Sequence, residues 1–332
     1  MILKSENVSG RETAQGSPLQ PVRLVCPACQ GSLSKDETHV QCLSCGSTFV
    51  VRDGFPELLI GERYTDPISS AEIQAEEETL RLTTERYWIP LFRQFWPDRS
   101  WRPKILSLGC GVGTDVELLC QNGFDAMGID CGERVSSWQR RQYPERFVLA
   151  NGMHLPFESG TFDAIYCGCV FPHIGVVGSS YNLQPDFRKQ RLALAREMAR
   201  VTRPSGKIIA ASPNRHFPFD IFHEHTQQRF RARLTMPWDP LLLSRRDYED
   251  LFRQAGFQKA TGLPVEKYWS FAHSRKTLKG RLLGAPVRFI FWFVSRPPCK
   301  LLRTSFLNPW IVVLVQAGRE LPRPIDAIRG LP

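Results

Sequence analysis

From Pro103 onward the chain alternates short apolar runs with segments of helical character, and this alternation restricts its fold more than any other feature. The runs are KILSLG, AMGID, FVLAN, FDAIYC and GKIIAAS, separated by DVELLCQNG, ERVSSWQRRQ and QRLALAREMARV. Runs too short for a buried helix, each followed by a helical pattern, predict an α/β fold with a parallel sheet covered on both faces. A helix LSRRDYEDLFRQAGF ending at Gly256 and a last apolar strand, NPWIVVLVQ, complete the pattern. The 332 residues leave room for a second unit in front of it. The texture divides the chain into a polar mobile tail (1–20), a cysteine-rich unit (21–61), a helical linker (62–102), the α/β domain (103–320) and a second tail (321–332).

The first strand runs straight into Gly109, Gly111 and Gly113, and a helix begins after them. Glycine there allows a sharp turn and lets backbone N–H groups approach a ligand without a Cβ in the way. The G-x-G-x-G form departs from the G-x-G-x-x-G of dinucleotide sites, and no G-K-[ST] closes it as in a phosphate-binding P-loop. Seventeen residues after Gly113 the second strand ends in Asp130, where a carboxylate can accept both hydroxyls of a ribose. Read alone, Asp130 could instead cap the next helix, and Cys167, ending the fourth strand, could be core packing.

Taken together, these features and the string LPFESGTFDAIYC resemble class I S-adenosylmethionine-dependent methyltransferases, in particular the type 11 group, over roughly residues 85–260. The resemblance implies a Rossmann-like sheet of seven strands, the last one antiparallel, and S-adenosyl-L-methionine as cofactor. It places Gly109, Gly111 and Gly113 along the methionine and ribose part of the cofactor and Asp130 on the ribose hydroxyls. Asn151 stands where the group commonly has Asp against the adenine amino group; an amide oxygen still accepts that bond, without charge assistance. Gly152 and Met153 follow at the adenine edge, and Cys167 is expected beside the methionine end.

Ahead of the α/β domain, Cys26-x2-Cys29 and Cys42-x2-Cys45 form two knuckles separated by twelve residues. Four thiolates from two tight turns satisfy a tetrahedral Zn2+ completely, so a closed structural zinc ribbon is expected. A segment this small buries too little surface to fold on its own, and metal would supply much of its folding energy. From Leu24 to Leu59 the string, including VVRDGFPELL, resembles the zinc-ribbon activator partners of methyltransferases, here fused in cis.

Methyl transfer from a sulfonium is an in-line displacement with an activated leaving group, so positioning and water exclusion do much of the work. His173, in CVFPHI after the fourth strand, matches a His common in the group and is the candidate general base; an orienting or core role is the alternative. Relatives with a catalytic metal carry Glu where Cys169 and Pro172 stand here, which argues against that chemistry. CGCV occupies the place of the N-P-P-Y signature of amino-directed nucleic-acid enzymes, and Cys167 and Cys169 lack the Pro-Cys context of cytosine C5 chemistry. After the fifth strand, SPNRHFPFDIFHEH supplies Arg215, His216, His223, Glu224 and His225 as candidate acceptor-binding residues within a lid-like segment, 213–240, with a second metal site on its His-x-His as the alternative.

Charge narrows the choice of acceptor. The net charge is +10, but residues 270–332 hold eleven Lys and Arg against two acids, leaving the rest near +1. The excess sits in a basic connection, 267–305, where aromatics alternate with Arg and Lys as on a surface amphipathic element. A small-molecule, lipid-linked or glycan-type acceptor is expected, with peripheral contact to an anionic membrane. An RNA methyltransferase and a non-catalytic methyltransferase-like partner are the alternatives. No run approaches the roughly 20 apolar residues of a spanning helix, and the polar start lacks an export signal, so a reducing cytoplasm is the expected compartment.

Overall fold

The computed structural model describes residues 22–61, 68–177, 182–220, 238–268 and 278–317, with the short pieces 225–226, 229–230 and 233–236 between them. Both tails lie outside the described residues, as do His223 and Glu224.

Four short strands come first: β1 (Leu33–Lys35), β2 (His39–Cys42), β3 (Thr48–Arg52) and β4 (Phe55–Leu58). The linker folds as α1 (Ser70–Thr83), a π-helical turn Thr84–Trp88, and α2 (Ile89–Phe95). Helix α1 starts on a capping box in which Ser69 and Glu72 satisfy each other's backbone N–H groups. Then come β5 (Lys104–Leu108), α3 (Thr114–Gln121), β6 (Asp125–Asp130), β7 (Phe147–Ala150), β8 (Phe162–Gly168), α4 (Phe187–Val201) and β9 (Thr202–Pro213). Two small ribbons follow, β10 (Phe219–Asp220) with β13 (Arg233–Leu234) and β11 (His225–Thr226) with β12 (Arg229–Phe230). The chain ends on α5 (Arg245–Gln254), β14 (Phe257–Gly262), α6 (Leu278–Ser295) and β15 (Trp310–Ala317).

The spatial order is β1-β2-β3-β4-β7-β6-β5-β8-β9-β15-β14. From β4 to β9 neighbours are parallel, and β15 runs antiparallel between β9 and β14. The order reverses at β5, so the crevice between β5 and β8 is the place where an open α/β sheet takes a ligand. Seven strands were expected with a separate ribbon beside them, and here the structure corrects the sequence reading. The sheet has eleven strands because β4 pairs in parallel with β7, Glu57 opposite Leu149 and Leu58 opposite Ala150. An unpaired β7 edge would expose a row of backbone donors and acceptors, and β4 satisfies them.

Side chains alternate between two cores, as the pleat requires. Leu106, Ile129, Val148 and Ile208 point to a layer built with Leu194 and Met198 of α4 and Tyr248 and Phe252 of α5. Ile105, Ala126, Leu149 and Ile209 point to the other, built with Trp88 and Phe92, Val116 and Leu119 of α3, and Phe291 and Val294 of α6. The segment ERVSSWQRRQ forms a 3-10 stretch, Glu133–Arg140, instead of an α-helix. Val135 and Trp138, three apart and both buried, align on one side of such a helix, and the Trp138 indole donates to the Gly111 carbonyl at 2.8 Å.

Candidate functional site

The turn after β5 gathers the candidate cofactor residues. Gly109, Gly111 and Gly113 all have positive φ, between 53° and 77°, a region that L side chains rarely adopt. A Cβ at Gly111 would lie 2.1 Å from the Glu76 carboxylate and one at Gly113 would lie 2.5 Å from the Phe147 ring, so bulk is excluded as well as strain. Asp130 ends β6 beside this turn. Its Oδ2 accepts from the Gly111 N–H at 2.9 Å and its Oδ1 from the N–H groups of Cys131 and Gly132 at 2.8 and 2.9 Å, which holds the carboxylate rigidly over the loop.

Beneath the loop, Asp115 is buried and accepts from the Ser107 hydroxyl at 2.6 Å and the Tyr166 phenol at 2.5 Å. Burial pushes its carboxyl above the ordinary range, against the pull of those two donors. Its Oδ1 and the Thr114 hydroxyl, both buried at the head of α3, have no hydrogen-bond partner among the described residues. A glycine cradle, an oriented carboxylate and two orphaned polar atoms under the cradle fit a polar, positively charged cofactor end such as that of S-adenosylmethionine.

Glu76 is the residue that sequence reasoning missed. From α1 it reaches across to the loop, its Oε1 accepting from the Val112 N–H at 3.3 Å and its Oε2 from Arg134 at 2.6 Å. Burial pushes its carboxyl up, although Arg134 opposes the shift. Two further arginine contacts, Arg141 to Glu77 and Arg141 to Glu117, tie α1 and α3 together beside it. The helical pattern of residues 70–83 gave no sign that one of its many Glu residues points at a loop 36 positions later.

At the end of β7, Asn151 occupies its expected place but turns its side chain inward. Its Oδ1 accepts from the Met153 N–H at 2.9 Å, and its amide donates to the Ile60 carbonyl at 3.4 Å, so the residue links the turn after β7 to the end of the cysteine-rich unit. Gly152 packs against Leu194, where a Cβ would approach to 2.8 Å. Cys167 lies with its side chain inside the core, and burial pushes its thiol up to about 12. The core reading thus holds for its side chain, and the strand end that faces outward is Gly168 and Cys169.

Cys169 has φ +58°, an uncommon value for a residue with a side chain. Its Sγ lies 3.9 Å from Nε2 of His173, which is exposed on the short turn Phe171–His173. His173 therefore stands at the C-terminal edge of the parallel strands, on the same edge as the glycine loop and Asp130. Arg215, expected to meet an acceptor, instead pairs with Asp247 at 2.7 Å, and Asp247 also closes the capping box of α5 with Ser244. His216 is exposed next to it. The backbone of His225 pairs with Phe230, while His223 lies outside the described residues. Buried Asn214 pins this segment to the last loop by donating to the Ser305 and Asn308 carbonyls at 2.8 and 2.9 Å.

The four cysteines converge: their Sγ atoms lie within 4.8 Å of one another, with Cys26 to Cys45 at 3.8 Å and Cys29 to Cys42 at 3.5 Å. Thiolates about 2.3 Å from a tetrahedral Zn2+ sit about 3.8 Å apart, so this donor set fits the ion. Each knuckle closes on itself, Gln30 N–H to Cys26 carbonyl and Gly46 N–H to Cys42 carbonyl. The Ser47 hydroxyl, 3.1 Å from Cys45, helps lower that thiol to about 6.

Residues 106–210 match the type 11 family described as a methyltransferase domain, and the matched stretch holds the glycine loop, Asp130, Asn151 and His173. A demethylmenaquinone methyltransferase of Corynebacterium urealyticum is 33% identical over 35% of this chain and 50% of its own length. Norajmaline N-methyltransferase of Rauvolfia serpentina is 26% identical over 47% of this chain and 52% of its own. The crystal structure of the PH0226 protein from Pyrococcus horikoshii OT3 is 27% identical, covers 46% of this chain and 62% of that one, and has a TM-score of 0.32. The chain thus spans about half the length of these two curated relatives. Residues 106–210 thus resemble a methyltransferase domain, and among the described residues no helix is long and apolar enough to cross a membrane.

Proposed function

We propose that the protein transfers a methyl group from S-adenosylmethionine to a small-molecule or lipid-linked acceptor. The observation that carries this reading is the meeting, at the switch point of the sheet, of the positive-φ glycine loop with the Asp130 carboxylate, inside the stretch that matches a methyltransferase domain. Relatives named for demethylmenaquinone, norajmaline and glycine support an acceptor of small size. When bound, the cofactor supplies a methyl group already activated on a sulfonium. Gly109, Gly111 and Gly113 would lie along its methionine and ribose part, Asp130 would hold the ribose hydroxyls, and the Asn151–Met153 turn would face the adenine.

Acceptor chemistry falls to the exposed edge. His173 would take the proton of a protonated acceptor, and the Cys169 thiol 3.9 Å from Nε2 limits the positions its ring adopts. Residues 26–45 would hold a structural Zn2+, and through β4 and the Asn151 to Ile60 hydrogen bond the ribbon would steady the adenine side of the site. Calorimetry with S-adenosylmethionine on zinc-loaded protein is expected to show one site per chain. Absence of binding would remove the proposal, and labelled cofactor with fractionated extract would then identify the acceptor class.

A further inference from the structure

The connection from β14 to β15 carries a surface that neither the core nor the candidate site uses. It leaves Gly262 and returns at Trp310, which pairs with Pro213, so its two ends sit at the edge of the sheet where the parallel strands end. Among the described residues helix α6 is held on the side of Val287, Phe291 and Val294, which are buried in the second core. Its outer stripe, at a spacing of three and four, is Leu278, Arg281, Leu282, Arg288, Phe289, Trp292 and Phe293.

Leu278 and Leu282 are 75% and 67% exposed, Phe289 is 63% exposed, and Leu301 in the following 3-10 stretch reaches 90%. The rings of Phe289, Trp292 and Phe293 stack on one another at centroid distances of 5.9 and 6.5 Å, so they protrude as a preformed ridge. Large aliphatic side chains this exposed, next to one another, mark an interaction face.

Charge selects the partner. Between Lys267 and Arg319 the chain has ten Lys and Arg and no Asp or Glu. Arg281, Arg288 and Lys300 are exposed around the apolar ridge. Arg296 is different: it pairs with Glu266 and lies over the Trp292 ring at 5.0 Å, so it braces the ridge. Leucine and aromatic side chains flanked by cations of one sign are what a helix lying in a lipid interface presents, the rings entering the headgroup level and the cations meeting anionic lipid. RNA would use the cations but has no use for Leu278, Leu282 and Leu301.

We propose that the outer face of α6 and the turn after it dock the protein on an anionic lipid bilayer. This goes beyond methyl transfer and does not depend on it, since the readout below needs no cofactor.

The test is flotation of the full chain with vesicles of phosphatidylcholine alone and with 30% phosphatidylglycerol. We expect capture only by the anionic vesicles and release by salt. The variant R281Q/R288Q/K300Q should bind about a hundredfold more weakly, at roughly fivefold per basic residue removed. F289S/W292S should lose binding too, with its thermal melt and S-adenosylmethionine titration showing that the fold persists. Equal capture by both vesicle types, or by neither, overturns the proposal. So does retention of RNA without vesicle binding, or a dimer that F289S/W292S converts to monomer while vesicles capture nothing. Loss of cofactor binding with vesicle capture intact would strike the methyltransferase reading alone.

Discussion

The two ends of the eleven-stranded sheet are built by opposite means. At one end β1 to β3 contribute little apolar area: Val40, Cys42 and Phe49 are buried, while Leu43 and Val50 face solvent. What gathers this end is the set of four converging cysteines and two tight turns. At the other end β15 is buried along nearly its whole length, and α6 docks on it through Phe291 and Val294 without any metal-type donor cluster among the described residues. Coordination by the four cysteines would substitute for a core where the chain is too short to make one, and apolar burial suffices where strands are long. The candidate site lies between, so it depends on both ends holding.

The largest effect expected from this contrast is at the ribbon. Chelating the metal, or Cys42→Ser, should unfold residues 22–58 and release one equivalent of zinc, seen by a metallochromic dye and by protease cleavage within the ribbon, while the remaining α/β body stays folded. If the ribbon resists protease without metal, apolar packing holds it and the contrast fails. Next comes the far end, where Phe291→Ala should cost about 3–5 kcal/mol by denaturant titration with no loss of zinc, because a fully buried ring leaves a cavity.

Between the ends, Asp130→Ala should weaken S-adenosylmethionine binding roughly ten- to a hundredfold, the loss of a charged hydrogen-bonding partner worth about 1.5–3 kcal/mol, and should also lower the melting temperature because three backbone N–H groups lose their acceptor. Glu76→Gln should change cofactor affinity by a smaller factor, since it keeps the size of the side chain that approaches Gly111. Calorimetry on both variants ranks the two carboxylates.

The smallest effect is chemical. Cys45 is lowered to about 6 and Cys167 raised to about 12. In the folded chain at pH 7 the Cys167 thiol therefore keeps its proton, because a raised value means the proton leaves only above neutrality, whereas Cys45 loses the contacts that lower it once the metal leaves and the ribbon opens. Iodoacetamide labelling of metal-free protein followed by mass spectrometry should find Cys45 modified and Cys167 untouched. Zinc should protect Cys45; labelling that ignores zinc would argue against these four sulfurs as its ligands.

Much of this was legible beforehand because it is local. Two knuckles at fixed spacing bring four sulfurs together over any short ribbon, and a glycine loop between an apolar run and a helix must turn with positive φ. The alternation of runs likewise implies a parallel sheet. Side chains that answer to distant neighbours were not legible. Asn151 has the right position for an adenine contact, yet Met153 and Ile60 claim its amide. Arg215 has the right charge for an acceptor, yet Asp247, 32 positions on, takes it. Glu76 looked like any other acid on α1.

The sequence by itself determined the strand and helix alternation, the turn geometry of the glycine loop, the cysteine spacing and the location of the positive charge, since each depends on residues close together in the chain. Only the tertiary structure decided that the ribbon extends the sheet through β4, that Glu76 meets Gly111 and Val112, and that the basic connection shows its leucines and aromatic rings to solvent. Those outcomes depend on which edge lacks a partner and which helix face the core leaves uncovered, and both are settled by packing among segments far apart in sequence.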